Sequence, residues 1–541
     1  MASRPHCLLH PISVRTELVR TECYYILYRR ASYAQDVDSN HQNGAENSLN
    51  SEKSPEGRSK HQLVGLVSGP ALAALMLFAE PPAGLSEPGM ATAAIAVWMA
   101  IWWATEALPI AVTALLPIAC FPLLGVINMV DTATPYANKV IYLFLGGFVV
   151  AFAMQRWNLH RRIALSVLQH VGGSGRLLVG GFLFASALIS MWVMNTSTAM
   201  MLTPVAVSVI GVIHASIGEL DERAREDFQY ALLLAVAYGS TVGGLTTLVG
   251  TLPTAMLAAF MLESYGTTIN FVDWMMVGIP LAIVMLPLCW LVLTRWAFKV
   301  DFKTSGEGRA ELRKLREELG DIRTPEIRIA IVACIMIVAW VGRPFWIQLP
   351  GLSALDDTGI AIIGAIAMFV IPSGDKDDPV LLRWEYAEKL PWGVILLFGG
   401  GLSLANAFIV TGLAEWLGVT LQVIGTLPLL VIIFAVAALI IFLTELTSNT
   451  ATVATFLPVA GAVAIQSGYD PIILTVPITL AASCAFMLPV ATPPNAIVFG
   501  SGMLTIPRMM RAGFAVNIVG IFVVTFVAMV LAPRLLGQAG L

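Results

Sequence analysis

The chain has 541 residues, of which 57% are hydrophobic and 12% charged, with a formal net charge of −4. Soluble domains carry about 25% charged residues, so half that load at this length requires most of the surface to face lipid. The balance offers no basic footprint for nucleic acid, and the class expected is an all-α integral membrane protein.

Residues 1–60 are predicted to be a disordered tail, polar and rich in Ser, Asn and Glu from Asp36 to Lys60. No apolar core followed by a small-residue cleavage site precedes the first apolar stretch, so no signal peptide is expected. Candidate spans then follow at Leu63–Phe78, Ala91–Ala104, Ile110–Val126, Val140–Met154, Trp274–Leu293, Ile327–Val341, Ile360–Ile371, Leu429–Leu443 and Phe514–Leu531. A span needs roughly 20 residues, and several of these are shorter, which predicts re-entrant and broken segments beside about eleven crossings. Glu106, in Trp103–Pro109, is read as interfacial and structural.

The first region with internal similarity is 131–298. Leu143–Gly147 and Asn195–Thr198 with Pro204 return as Leu397–Gly401 and Asn449–Thr452 with Pro458, each 254 residues later. Gly250–Thr254 pairs with Ala491–Asn495 at a spacing of 241, so the first copy holds thirteen extra residues, assigned to a longer loop at Glu219–Asp227. Arg156, His160, Arg161 and Arg162 follow the glycine-rich helix of the first copy, whereas Val410–Trp416 in the second has no base and one acid, Glu415. At the far end Arg508 and Arg511 of the second copy correspond roughly to a stretch of the first that carries Asp273. Short cytoplasmic loops are enriched in Lys and Arg, so the two copies are expected to be inverted. Inverted repeats place a transporter's site near the bilayer midplane, at the repeat interface. Between the copies lies a cytoplasmic linker, 299–326, with a surface helix expected at Glu311–Glu318. Helices of the second repeat follow over 327–390, then its hairpin and broken helix over 391–541.

Both copies interrupt apolar sequence with clustered amides and hydroxyls, Met194–Thr198 and Ser448–Thr452. In hydrocarbon an unsatisfied polar group is expensive, so such backbone belongs inside protein or beside a cavity. Asn supplies a carbonyl oxygen for a cation and an amide donor for a carboxylate, and Thr can do either. Such residues also serve as glue between helices; their recurrence in register favours a binding site. In the Gly250 and Ala491 motifs, Pro breaks the helix and frees carbonyls, which suit a hard cation, while exposed helix N-termini suit an anion. Neither motif contains Lys or Arg, so a bound cation and an anion should raise each other's affinity. Glu445 is a rare intramembrane acid, equally readable as functional or as a partner for a helix end.

Enzyme signatures are not found: neither GxxxxGK[ST] nor HExxH occurs, and the seven His lack ligand spacing. The six Cys (Cys7, Cys23, Cys120, Cys289, Cys334, Cys484) form no CxxC, and the last four read as small core hydrophobes in apolar helices. Glycine runs such as Gly399–Gly401 suit close helix packing.

Trp103–Thr113, Arg156–His160, Thr444–Thr450 and Thr492–Asn495 together resemble the divalent anion/sodium symporter family, the dicarboxylate and citrate carriers, over about Leu63–Leu536. The resemblance implies a homodimer in which each protomer has a scaffold domain and a transport domain moving as an elevator, with scaffold helices at 61–130. It implies an inward hairpin at about Gly175–Ile213, an outward one at about Thr426–Gln466, and broken helices at about Tyr230–Glu263 and Pro471–Ile506. Carried over residue by residue, it assigns one sodium site to Ser190, Asn195 and Gly250 and another to Thr444, Thr447, Asn449 and Ala491. Substrate carboxylates would meet Asn195, Thr196, Asn449, Thr450, Thr492 and Pro493. The chain departs from the family pattern at Met194, where Ser is usual, and at Leu252 and Thr254, where Pro and Asn are usual. A thioether is a poor sodium ligand, so the second site is expected to be the strong one. The function implied is sodium-coupled symport of four-carbon dicarboxylates (succinate, malate, fumarate) across a bacterial inner membrane or its equivalent. A sodium-independent dicarboxylate or tricarboxylate exchanger of the same fold is the alternative.

Overall fold

Helix follows helix along the chain, and many starts are marked by a side chain that satisfies free amides. The computed structural model describes residues 59–536 except 172, 217–220, 304–305, 353, 377 and 421–426. The expected tail, apart from its last two positions, and the expected hairpin start at Thr426 lie outside the described residues. Helix α1 spans Lys60–Phe78 and α2 spans Glu87–Thr105, where Ser86 accepts from Gly89 N at 3.1 Å. Glu106 ends α2 in the left-handed region, φ 48°, which makes it the C-cap its neighbours require. After short turns, α3 (Lys139–Arg156) leads to α4 (Leu159–Leu168).

A helix–turn–helix pair and an interrupted helix come next. These are α5 (Gly175–Ser190) with α6 (Asn195–Ser216), then α7 (Glu222–Gly244) with α8 (Leu252–Tyr265). Helix α9 (Phe271–Leu291) closes the first copy. The linker forms α10 (Glu307–Glu317), and α11 (Thr324–Val341) and α12 (Asp357–Val370) follow. The second copy repeats the order with α13 (Gly393–Val410), α14 (Leu413–Thr420), the pair α15 (Leu429–Thr444) and α16 (Asn449–Gln466), and the halves α17 (Ile472–Ala482) and α18 (Pro493–Gly500). Helix α19 (Ile506–Val530) ends it. The described residues contain isolated bridges but no strand.

Nine described helices are long and apolar enough to cross a membrane, and five apolar helices of 10–17 residues accompany them. The short ones include α5, α12, α15 and α17, each below the roughly 20 residues that a full crossing takes. The core sits on the interrupted helices: residues 230–250 are all buried. Glycines let backbones meet. A Cβ at Gly400 would lie 2.2 Å from the Ala114 carbonyl oxygen, so α13 touches main chain that any side chain would push away.

The thirteen extra residues are not a loop. Helix α6 runs four residues beyond the position equivalent to the end of α16, and α7 starts nine before the equivalent of α17. Five residues separate the two helices in each copy, 217–221 and 467–471, and positions 219 and 220 of the expected loop lie outside the described residues. The charged run from Glu222 is therefore helix: Asp227 is buried and accepts from Lys299 N at 3.0 Å, and Arg508 pairs with Glu226 at 2.7 Å. Gln229 Nε2 also donates to Met503 O at 2.6 Å. At the other end, Tyr265 packs on Gly461 and Thr475 on Met261. The turn end of each copy thus meets the far end of the other.

The basic cluster after α3, expected in a short cytoplasmic loop, lies largely in α4. Arg162 is buried and donates to Glu326 Oε2 at 2.8 Å and to the carbonyls of Gly320 and Asp321. His160 is buried against Met154 O, and burial pushes its imidazole down to about 4. Of the cysteines read as core, Cys289 and Cys484 are buried, Cys120 is half-buried and Cys334 is exposed; Cys484 lies in an unwound loop, not a helix. The linker helix α10 forms four residues ahead of the expected Glu311 start and packs on α6, with Leu312 buried and Glu311 accepting from Ser208 Oγ at 2.7 Å.

Candidate functional site

In the first copy, α5 ends at Ser190 and α6 begins at Asn195, leaving Met191–Met194 as a tip. Asn195 Oδ1 accepts from Thr196 N at 2.9 Å, which fixes the amide over the helix start. The first amides of α6 have no helical partner, and this is where an anion is favoured. The interrupted helix faces the tip with the loop 245–251. Thr247 Oγ1 donates to Met191 O at 2.6 Å and accepts from Gly250 N at 3.1 Å, joining tip to loop. A Cβ on Gly250 would sit 2.4 Å from Gly244 O and 2.8 Å from Ser190 O, and one on Gly244 would be 3.1 Å from Gly250 O and 3.5 Å from Ser190 Oγ. Four oxygens from three residues therefore converge where only glycine fits. Ser190 Oγ is buried and has no hydrogen-bond partner. An oxygen-only donor set with an unpaired hydroxyl suits a hard monovalent cation.

The second copy is built the same way between Thr444 and Asn449. Thr444 Oγ1 lies 2.7 Å from Asn449 Oδ1 and 2.9 Å from Ala482 O. A hydroxyl has one hydrogen. In this amide orientation, three oxygens meet with one proton too few, and a bound cation resolves that conflict. Thr447 turns elsewhere, to Thr452 Oγ1 at 2.8 Å and Leu443 O at 3.1 Å. Thr492 caps α18, accepting from Asn495 N at 3.4 Å, and it is buried together with Ala491. Thr450 is buried one position into α16, and Pro493 opens α18.

Two braces hold the unwound loops. Asn495 Nδ2 donates to Leu488 O at 3.0 Å and Ala485 O at 3.2 Å. Thr254, 241 residues earlier, donates to Thr251 O at 2.8 Å, and its hydroxyl also lies 3.3 Å from Thr247 O, the position equivalent to Leu488. The departure at Thr254 therefore keeps the brace with a shorter side chain. The sequence does not point to Thr247, Gly244 or Asn495 as site residues; Asn495 stands within a repeated motif, while Thr247 and Gly244 carry no signal of their own. Glu445, readable from the sequence in two ways, is a hub: Oε1 accepts from Phe486 N (2.8 Å), Met487 N (2.9 Å) and Asn517 Nδ2 (2.7 Å), and Oε2 from Leu488 N (3.0 Å).

The structure brings Ser190 to Gly250, and Thr444 to Asn449. The Asn195 side chain bonds to Thr196, so its place in the first oxygen cluster rests on the tip alone. The two halves meet through reciprocal packing, α6 on α18 and α16 on α8. Each hairpin's second arm rests on the second half of the other copy's interrupted helix.

The family described as the sodium:sulfate symporter transmembrane region matches residues 60–536. The chain belongs to this family. A sodium-dependent dicarboxylate transporter, SdcS, of Staphylococcus saprophyticus is 41% identical over 480 residues, covering 88% of this chain and 92% of that protein. SdcS of Staphylococcus aureus is 38% identical over 479 residues with the same coverage. Among solved structures, the YdaH transporter of Alcanivorax borkumensis aligns with a TM-score of 0.51 at 15% identity, over 87% of this chain and 96% of that one. At that identity the likeness is one of fold. As a family member, the chain is a multi-pass membrane protein.

Proposed function

We propose that this protein is a secondary transporter that carries four-carbon dicarboxylates, such as succinate, malate and fumarate, across the cell membrane together with sodium. The observation that carries this reading is the pair of oxygen clusters, Ser190–Gly244–Gly250 and Thr444–Asn449–Ala482, each beside a polar helix start in sequence without Lys or Arg. Sodium occupies the clusters and neutralises the substrate, whose carboxylates meet Asn195, Thr196, Asn449, Thr450, Thr492 and Pro493. The names of the staphylococcal relatives agree with this assignment. The first cluster is built from Ser190 and two glycines without the Met194 side chain, which favours symport over the sodium-independent exchanger. Ala491 and Thr447 belong to the second sodium shell by the family pattern.

The end-to-end contacts between copies support inversion, with the hairpins entering from opposite faces. A transport domain of hairpins and interrupted helices then moves as an elevator against scaffold helices in 61–130 and 327–390, in a homodimer. The test is uptake of labelled succinate into proteoliposomes: a sodium gradient should accelerate it at least tenfold over a choline control, and equal rates sink the reading. Asn449→Ala, in correctly inserted protein, should abolish uptake because the residue serves both ligands. Wild-type rates in that variant would remove Asn449 from the site.

A further inference from the structure

Glu445 is 3% exposed and is the first residue of the second hairpin's tip, directly after Thr444, a proposed sodium ligand. Its four partners are all neutral donors: three successive backbone amides of the unwound loop, 486–488, and the Asn517 amide of α19. Neutral dipoles stabilise a carboxylate without cancelling its charge, and the hairpin tips and unwound loops contain no Lys or Arg to do so. The loop it holds continues directly into the site, since Ala491 N donates to Leu488 O at 3.2 Å.

The first copy separates the mechanical part of this arrangement from the electrical one. The position 254 residues before Glu445 is Met191, and that 241 before Leu488 is Thr247. These two are also joined, Thr247 Oγ1 to Met191 O at 2.6 Å. The same tip–loop joint therefore exists in both copies, and in the first it is made without charge. A structural joint alone does not require a buried carboxylate, whose desolvation is costly.

We propose that Glu445 is the fixed countercharge of the second sodium site as well as the residue that positions its loop. It coordinates nothing directly; it acts from the next position in the chain on a cation held by Thr444, Asn449 and Ala482 O, because charges in a poorly screened interior interact strongly. The proposal makes the two sites unequal, with the second binding sodium more tightly. It rests on the sodium-coupled reading above.

The test measures the sodium concentration giving half-maximal succinate uptake, and the succinate KM at saturating sodium. Glu445→Gln preserves shape and removes the charge. The half-maximal sodium concentration should rise about tenfold or more, with the succinate KM at saturating sodium changed less than about threefold. Sodium-induced thermal stabilisation without substrate should weaken in parallel. Glu445→Asp keeps the charge and stretches the hydrogen bonds; uptake should slow while sodium affinity stays within about threefold of wild type. An unchanged sodium requirement in the Gln variant, or a tenfold loss of affinity in the Asp variant, overturns the proposal. If the Gln variant does not fold, the Asp variant decides. Wild-type uptake indifferent to sodium would instead defeat the transport reading itself.

Discussion

At the residue scale, the two departures from the family pattern in the first copy have different consequences. Thr254 is compensated, since its hydroxyl reaches Thr251 O and Thr247 O where a longer amide would brace the loop. Met194 is not, because a thioether cannot supply the oxygen that Ser would. Met194→Ser therefore adds one hydroxyl to the tip, and a hydroxyl interaction contributes about 0.5–1.5 kcal/mol. The half-maximal sodium concentration for uptake should fall about threefold, with the substrate KM nearly unchanged. A variant requiring as much sodium as wild type would place Met194 away from the cation.

At the scale of elements, the buried contact that matters most outside the site is Arg162 on α4 with Glu326 at the start of α11. Arg162 also holds the carbonyls of Gly320 and Asp321, so it clamps the linker to the first copy. Removing one member of a buried pair leaves an uncompensated charge and costs about 3–5 kcal/mol. Arg162→Met should lower the unfolding temperature in detergent by several degrees, and Arg162→Met with Glu326→Leu should recover most of it. Equal losses in the single and double variants would show that the carbonyl contacts, not the ion pair, carry the clamp. The two hairpin tips were legible in the sequence, since an Asn-Thr cluster in apolar surroundings is costly unless it turns inward to a partner or a cavity. The clamp was not: Arg162 and Glu326 are 164 residues apart, and a basic run reads alike whether it faces water or a buried acid. The charged run at Glu222–Asp227 misled for a related reason, because composition does not separate an exposed loop from the first turns of a helix whose other face is buried. Glu445 stood out as an intramembrane acid, but its partners are mostly backbone amides, which no residue type announces.

At the scale of the whole molecule, the reciprocal packing of α6 on α18 and α16 on α8 makes one centre from two copies, and that centre is electrically lopsided. The hairpin tips and unwound loops offer amides, hydroxyls and helix starts but no base, and their carboxylate is Glu445. A dicarboxylate entering alone would add two negative charges to a region that already holds one. Cations bound first reverse that balance, so dicarboxylate affinity should depend on sodium far more steeply than on total salt. A ligand at about 100 times its Kd stabilises the folded state by about 2.7 kcal/mol. Millimolar succinate should therefore raise the unfolding temperature by a few degrees in sodium and by less than about one degree in choline at equal ionic strength. On the proposed assignment, sodium alone should produce a smaller rise, filling the clusters without tying the two copies together. Sulfate and citrate in the same series rank the anions by how well their charges span the two helix starts. A succinate shift of equal size in choline would mean that the anion is held by groups other than these, and that the oxygen clusters serve only to join helices.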